Sequence, residues 1–199
     1  NECDALTVTN KHLKSNFARF TDKPIYVLPN YVDYEWYGKE DLNIERNTDE
    51  IRLGWFGSIG HFEDLKMVLS ALKTVIEKYP KVRFIYSGYG GFSSDKFVTE
   101  IGYGEDVFKE IPHNRREYVV GVESAYWPTK LRTLDLDIGI SPLIEDEFNK
   151  CKTPIKWIEY GLVGIPGVFS PTVYADNPIE GGEPVVTHGK TGFIAKTKA

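Results

Sequence analysis

IRLGWFGSIGHFEDLKMVLSALKTVIEKYPKVRFIYSG, residues 51–88, is the stretch that decides the fold. It opens on an apolar strand, 51–58, that ends in Gly57 and Ser58. Leu65, Val68, Leu69, Leu72, Val75, Ile76 and Tyr79 then recur at three- and four-residue spacing until Pro80, which predicts a long amphipathic helix. VRFIYSG, 82–88, predicts a second strand. Two parallel strands joined through a helix need a right-handed crossover, so this stretch is one unit of a parallel sheet.

The alternation continues outward. EYVVGV at 117–122 predicts a third strand, with weaker helical signals before it, and PTKLRTLD at 128–135 a short helix. LDIGIS at 136–141, TPIKWIEYGLVG at 153–164 and GVFS at 167–170 predict strand, helix and strand. The architecture expected is α/β, an open parallel sheet with helices on both faces. The chain stops at GFIAKTKA without a closing helix, so the sheet is expected to be truncated at its C-terminal end. Ahead of residue 51 lie a short strand at 5–9, a helix capped by Asn10 with Leu13, Phe17 and Phe20 on one face, and an extended segment at 24–30. These are too little to close a core and are expected to be the trailing edge of an earlier domain, residues 1–38. The almost wholly polar 39–50 is expected to be the linker, and 51–199 the second domain.

Composition narrows the function. The chain of 199 residues has 41% hydrophobic and 27% charged residues, which excludes disordered and fibrous classes. With 24 Lys and Arg against 29 Asp and Glu, the net charge of −5 speaks against a surface tracking nucleic acid, although one cleft can still bind a small anion. No run approaches the roughly 18 apolar residues of a membrane span, and the first residues lack a signal-peptide layout. A cytoplasmic protein is expected. Cys3 and Cys151 match no metal-ligand spacing and fit a reducing compartment.

In an open parallel sheet ligands bind beyond the carboxyl ends of the strands, which directs attention to the turns there. In Gly57-Ser58-Ile59-Gly60-His61, glycines allow backbone amides close to an anion, and Ser58 and His61 add donors. A Gly-rich strand-to-helix turn is more often only a turn, and Gly88-Tyr89-Gly90-Gly91 carries a weaker signal still. At the third turn, Thr153 is expected to cap, and Pro154 to open, the helix carrying Lys156 and Glu159. Its amide end, with Lys150 and Lys152 just before it, suits a diphosphate. Lys156 and Glu159 then project along one face, the carboxylate able to accept from two vicinal ribose hydroxyls. The competing reading is a solvated Lys156–Glu159 ion pair. After the third strand, Tyr126 and Trp127 offer rings for stacking on a base, or for rim packing. His12, His113 and His188 read as surface or structural residues, and Asp135 and Asp137 as turn and cap residues.

The order of segments resembles the C-terminal, donor-binding half of retaining GT-B glycosyltransferases of the group 1 type, over most of the chain. CDALTVTN, a helix and IYVLPNYVD resemble the end of the acceptor domain and the hinge. LGWFGSIGHFEDL resembles the first strand and phosphate loop, LDIGISPL the late strand and its proline turn, and KCKTPIKWIEYGLVGIPGVFS the signature helix. By that resemblance Glu159 binds the ribose of a nucleotide diphosphate sugar. Two positions depart from the pattern. Cys151 stands eight residues before Glu159, where the family has a second glutamate that holds the transferred sugar, and Ser58 occupies the place of an arginine that neutralises the diphosphate. Lys152 and Lys156 are expected to supply that charge, and Phe148-Asn149-Lys150 is similar to a subset of the family with a lysine-rich helix start.

The resemblance implies a glycosyltransferase of polysaccharide or glycoconjugate assembly that transfers a sugar with retention. The donor binds here and the acceptor, a glycan or glycoconjugate, on a preceding N-terminal domain, so the 199-residue chain alone is expected to be inactive. By the same resemblance the nucleotide diphosphate sugar is a substrate and no metal or other cofactor is expected, and no catalytic residue is assigned. A non-catalytic sugar-nucleotide or protein-binding module of the same fold is the alternative, and a nucleotide-sugar epimerase a third reading without a residue to support it.

Overall fold

The structure, a computed structural model, describes residues 3–38, 49–88 and 108–195. Most of the expected linker (39–48), the second glycine turn beyond Gly88 and the last four residues lie outside the described residues. Strands β1 (Leu6–Val8) and β2 (Ile25–Val27) pair in parallel, joined through α1 (Lys11–Phe17). Asn10 caps α1 as expected, its Oδ1 accepting from the Leu13 amide at 2.8 Å. The expected apolar face of this helix is not buried: Phe20 is 84% exposed and Phe17 is also exposed. A further helix, α2 (Tyr34–Gly38), precedes the polar stretch.

The second sheet has six strands, all parallel: β3 (Ile51–Phe56), β4 (Val82–Ser87), β5 (Arg116–Val119), β6 (Ile138–Ser141), β7 (Gly167–Phe169) and β8 (Phe193–Ile194). Their spatial order is β5-β4-β3-β6-β7-β8. The chain runs outward from β3 to one edge, returns to β6, and runs to the other edge. Such doubly wound order makes the gap between β3 and β6 the topological switch point, where ligand crevices form. The open parallel sheet expected from the sequence is the one observed. The third strand ends earlier than expected, at Val119 rather than 122.

Each face of the sheet carries its own core. Helix α3 (Phe62–Lys78) places Leu65, Leu72 and Ile76 with Leu53, Trp55, Val82 and Phe84 on one face. Helices α4 (Trp127–Thr133) and α6 (Ile155–Leu162) place Leu131 and Tyr160 with Phe56, Ile85 and Phe169 on the other. Between them in the chain lies α5 (Glu147–Lys150), capped by Asp146, and after β7 the short, kinked α7 (Pro171–Tyr174). Alternation along β3 and β4 sends successive side chains to opposite cores, as a sheet covered on both faces requires. Gly88, at φ +87°, ends β4 against β3. A Cβ there would stand 2.8 Å from the Gly57 carbonyl oxygen, so only glycine lets the two strand ends meet.

The last turn of α3 is closed from a distance. Arg115 Nη2 donates to the carbonyls of Ile76 (2.9 Å), Tyr79 (2.8 Å) and Val82 (2.7 Å), and Nε donates to Val82 (3.1 Å). A guanidinium satisfies the orphan carbonyls of the helix end and opposes its dipole. Arg115→Ala is expected to lower stability by about 2 kcal/mol in urea titrations with little change in slope; Arg115→Lys, a single point charge without the fork, recovers only part of the loss.

Candidate functional site

The switch point is bridged by one buried carboxylate. Asp64, in the first turn of α3, has a side chain 3% exposed. Its Oδ1 accepts from the Ile144 amide at 2.7 Å and from Asn149 Nδ2 at 3.1 Å, both beyond the end of β6. Its Oδ2 pairs with His61 Nδ1 at 2.8 Å and lies 3.7 Å from Lys152 Nζ. Burial alone would raise the pKa of this carboxyl, but the His61 hydrogen bond, the Ile144 amide and the Lys152 charge hold it below its ordinary value. Asp64 was not singled out in the sequence, where a polar residue in the first helical turn reads as dipole-matching and solvated. The signal available was His61 three residues ahead of it, on the same side of the turn.

Helix α6 brings Lys156 and Glu159 to the same crevice. They are 7% and 8% exposed, so the solvated ion pair considered above is not what forms. The Lys156 ammonium sits 5.6 Å from the ring centroids of both Trp55 and Phe56, within cation–π range. Burial and the neighbouring Lys152 charge lower its pKa from the ordinary 10.5 to about 8, against the opposing pull of Glu159 and Asp64. His61 is likewise held below its ordinary value, by burial first, with Lys156 and Lys152 adding to the shift and the Asp64 hydrogen bond opposing it.

Two expectations about local geometry need correction. Thr153 does not cap α6: Pro154 occupies the cap position, and the Thr153 hydroxyl instead accepts from Asn30 Nδ2 at 3.2 Å. The Pro154 carbonyl takes the Trp157 and Ile158 amides, and those of Ile155 and Lys156 stand at the amino end of the helix, ahead of its first intrahelical bond. In the first turn, the Gly57 amide donates to the Ser87 carbonyl at 3.1 Å and so extends the sheet rather than facing an anion, while Ser58 points outward. The aromatic pair divides. Trp127 packs on Phe56 at 4.4 Å between centroids, and Tyr126 is 65% exposed. His188 accepts from the Ile194 amide at 3.0 Å, and Asp137 accepts from the Arg52 amide at 2.8 Å, structural roles in both cases.

The N-terminal segment closes one side of the site. Asn10 Nδ2 donates to the Lys152 carbonyl at 2.9 Å, Asn16 Nδ2 to Cys151 Sγ at 3.2 Å, and Lys11 pairs with Asp176 at 2.7 Å. Cys151 therefore faces α1. Between α1 and the loop after α7 lies a shallow, half-open cleft lined by residues that include His12, Lys150, Lys152 and Pro154; it does not reach Lys156 or Glu159. Val173 in its wall has φ +60°, a strained conformation for a β-branched residue of the kind that gathers at binding sites. Among the described residues no three His, Cys, Asp or Glu side chains come together as a metal site, and no helix is long and apolar enough to cross a membrane.

No protein-family model and no curated protein matches the chain. Solved structures do. HepE of Anabaena in complex with UDP-glucose superposes with a TM-score of 0.61 at 16% identity, over 97% of this chain and 50% of its own. TarM superposes at 0.58 and 14% identity, over 98% and 34%, and sucrose-phosphate synthase of Thermosynechococcus elongatus at 0.57 and 13%, over 85% and 41%. This chain thus spans at most half the length of these structures. At such identities the likeness is one of fold, and the fold is Rossmann-like, of the GT-B type.

Proposed function

We propose that the chain is the nucleotide-sugar donor-binding domain of a retaining glycosyltransferase, and that the crevice between β3 and β6 holds the donor. The observation that carries this reading is the pair Lys152 and Lys156 beside the amino end of α6, one ammonium buried against two rings. A folded protein keeps a charge in such a place at a cost in stability, and an anionic ligand offsets it. The diphosphate docks at the amides of Ile155 and Lys156 and at the two ammonium groups, and Glu159, one turn further, accepts from the ribose hydroxyls. The exposed Tyr126 offers its ring to the base. The HepE complex with UDP-glucose and the trehalose-6-phosphate synthase structure solved with a UDP-sugar analogue support a donor of this class.

As the sugar–phosphate bond breaks, negative charge builds on the leaving diphosphate, and preorganised cations and amides stabilise it without a metal or other cofactor. The acceptor, a glycan or glycoconjugate, binds on a separate N-terminal lobe, so the 199-residue chain binds donor without transferring sugar. The protein works in the cytoplasm, in polysaccharide or glycoconjugate assembly. The engagement of Cys151 by Asn16 favours one second reading, a sugar-nucleotide-binding module of the same fold without transferase activity.

Calorimetric titration with UDP, GDP and their sugars tests the proposal. One nucleotide series is expected to bind, with Lys156→Met weakening it roughly 10- to 100-fold and Glu159→Ala roughly tenfold. Binding indifferent to both substitutions, or absent for every nucleotide, overturns the assignment. Diphosphate binding requires protonated Lys156, so affinity is expected to fall as pH rises through about 8, a dependence absent from Lys156→Met. Stability runs the other way. Lys156 holds its proton less tightly folded than unfolded, so unfolding takes up a proton between about 8 and 10.5 and the unliganded protein gains stability across that window. A drop of this size corresponds to roughly 3 kcal/mol, so Lys156→Met is expected to raise Tm while it weakens binding. A lower Tm would mark Lys156 as a structural residue.

A further inference from the structure

We propose that His61 is the hydrogen-bond acceptor for a hydroxyl of the transferred sugar, fixed in that role by Asp64 as a positioning residue; this rests on the donor-binding reading above. The lock is geometric. A carboxylate has no proton to give, so across the 2.8 Å contact between Asp64 Oδ2 and His61 Nδ1 the imidazole must donate. Asp64 cannot turn away, because its other oxygen is held by the Ile144 amide and Asn149 Nδ2. With Nδ1 protonated in a neutral ring, Nε2 carries a lone pair and no hydrogen. Among the described residues nothing bonds to Nε2, while the ring is braced edge-on against Trp55 at 5.9 Å.

The surroundings keep the ring neutral. The cations facing it are Lys152 and Lys156, which oppose a further positive charge, and burial acts in the same direction; Asp64 alone favours it. The sequence reading gave His61 to the phosphates as a donor, but the neutral tautomer meets a phosphate oxygen lone pair to lone pair. A sugar hydroxyl supplies the missing hydrogen. The lysines and helix amides of the crevice donate and Glu159 is taken by the ribose, so Nε2 is the acceptor left for the hexose while the diphosphate goes to the ammonium groups.

Two measurements decide it. Long-range proton–nitrogen NMR of the wild-type protein at neutral pH is expected to show His61 protonated at Nδ1 and bare at Nε2; the opposite tautomer, or an imidazolium, overturns the inference without any variant. Calorimetry then compares UDP with UDP-glucose and GDP with GDP-mannose in wild type and in His61→Asn, whose amide still donates to Asp64 but lacks the second nitrogen. The expected result is a loss of roughly five- to tenfold for the nucleotide sugar, with the free nucleotide changed less than about twofold. Equal losses for both ligands, or none, overturn the role of His61 and leave the donor site standing. No nucleotide bound by the wild type overturns the donor reading and this inference together.

Discussion

A carboxylate taken out of water must find its partners within the fold, and Asp64 finds them on both sides of the sheet's switch point. His61 belongs to the turn after β3; Ile144, Asn149 and Lys152 belong to the segment after β6. Uncompensated, such a charge would cost several kcal/mol; bonded on both oxygens, it acts as a rivet that holds two otherwise independent loops in register. The other groups at the crevice take their positions from it. Lys152 is drawn to the carboxylate, His61 is oriented by it, and the segment that leads into α6 starts from a fixed point. The backbone beneath contributes the same closeness, since Gly88 lets β4 end directly against Gly57.

The crevice is held together at the expense of stability. An ammonium buried over Trp55 and Phe56 and a second lysine beside it raise the energy of the empty protein, as does Val173 in the left-handed region in the wall of the neighbouring cleft. By contrast, the opposite end of the sheet is made of stabilising contacts. Arg52 and Arg83 interleave with Glu50 and Glu117 at 3.4–3.8 Å, and Arg115 closes α3. The separation of stabilising groups at one end from costly groups at the other is what a binding edge at the carboxyl ends of the strands looks like.

Much of this fold was readable beforehand because parallel sheets write strong patterns. The β3-α3-β4 unit is long, periodic and closed by Pro80, and the later strands are apolar runs ended by turn residues. What escaped were features settled by residues far apart in the chain. Thr153 has the chemistry of a cap, but Asn30, more than a hundred residues away, claims its hydroxyl. Phe17 and Phe20 lie at helical spacing yet face outward, because periodicity marks a face and says nothing of what covers it. Lys156 and Glu159, three residues apart in the sequence, are both buried residues of α6. The burial of Lys156 against Trp55 and Phe56 of β3 could not be read from α6 alone. Asp64 shows the same limit: His61 three residues ahead is a local hint, but its partners Ile144, Asn149 and Lys152 lie some eighty residues away.

The docking of residues 3–38 on the crevice has a mechanical consequence. Asn10 grips the Lys152 carbonyl, Asn16 the Cys151 sulfur and Asn30 the Thr153 hydroxyl, so three consecutive residues leading into α6 are each held by an asparagine of the N-terminal segment. Any swivel of that segment must either break these bonds or drag the backbone beside the lysines with it.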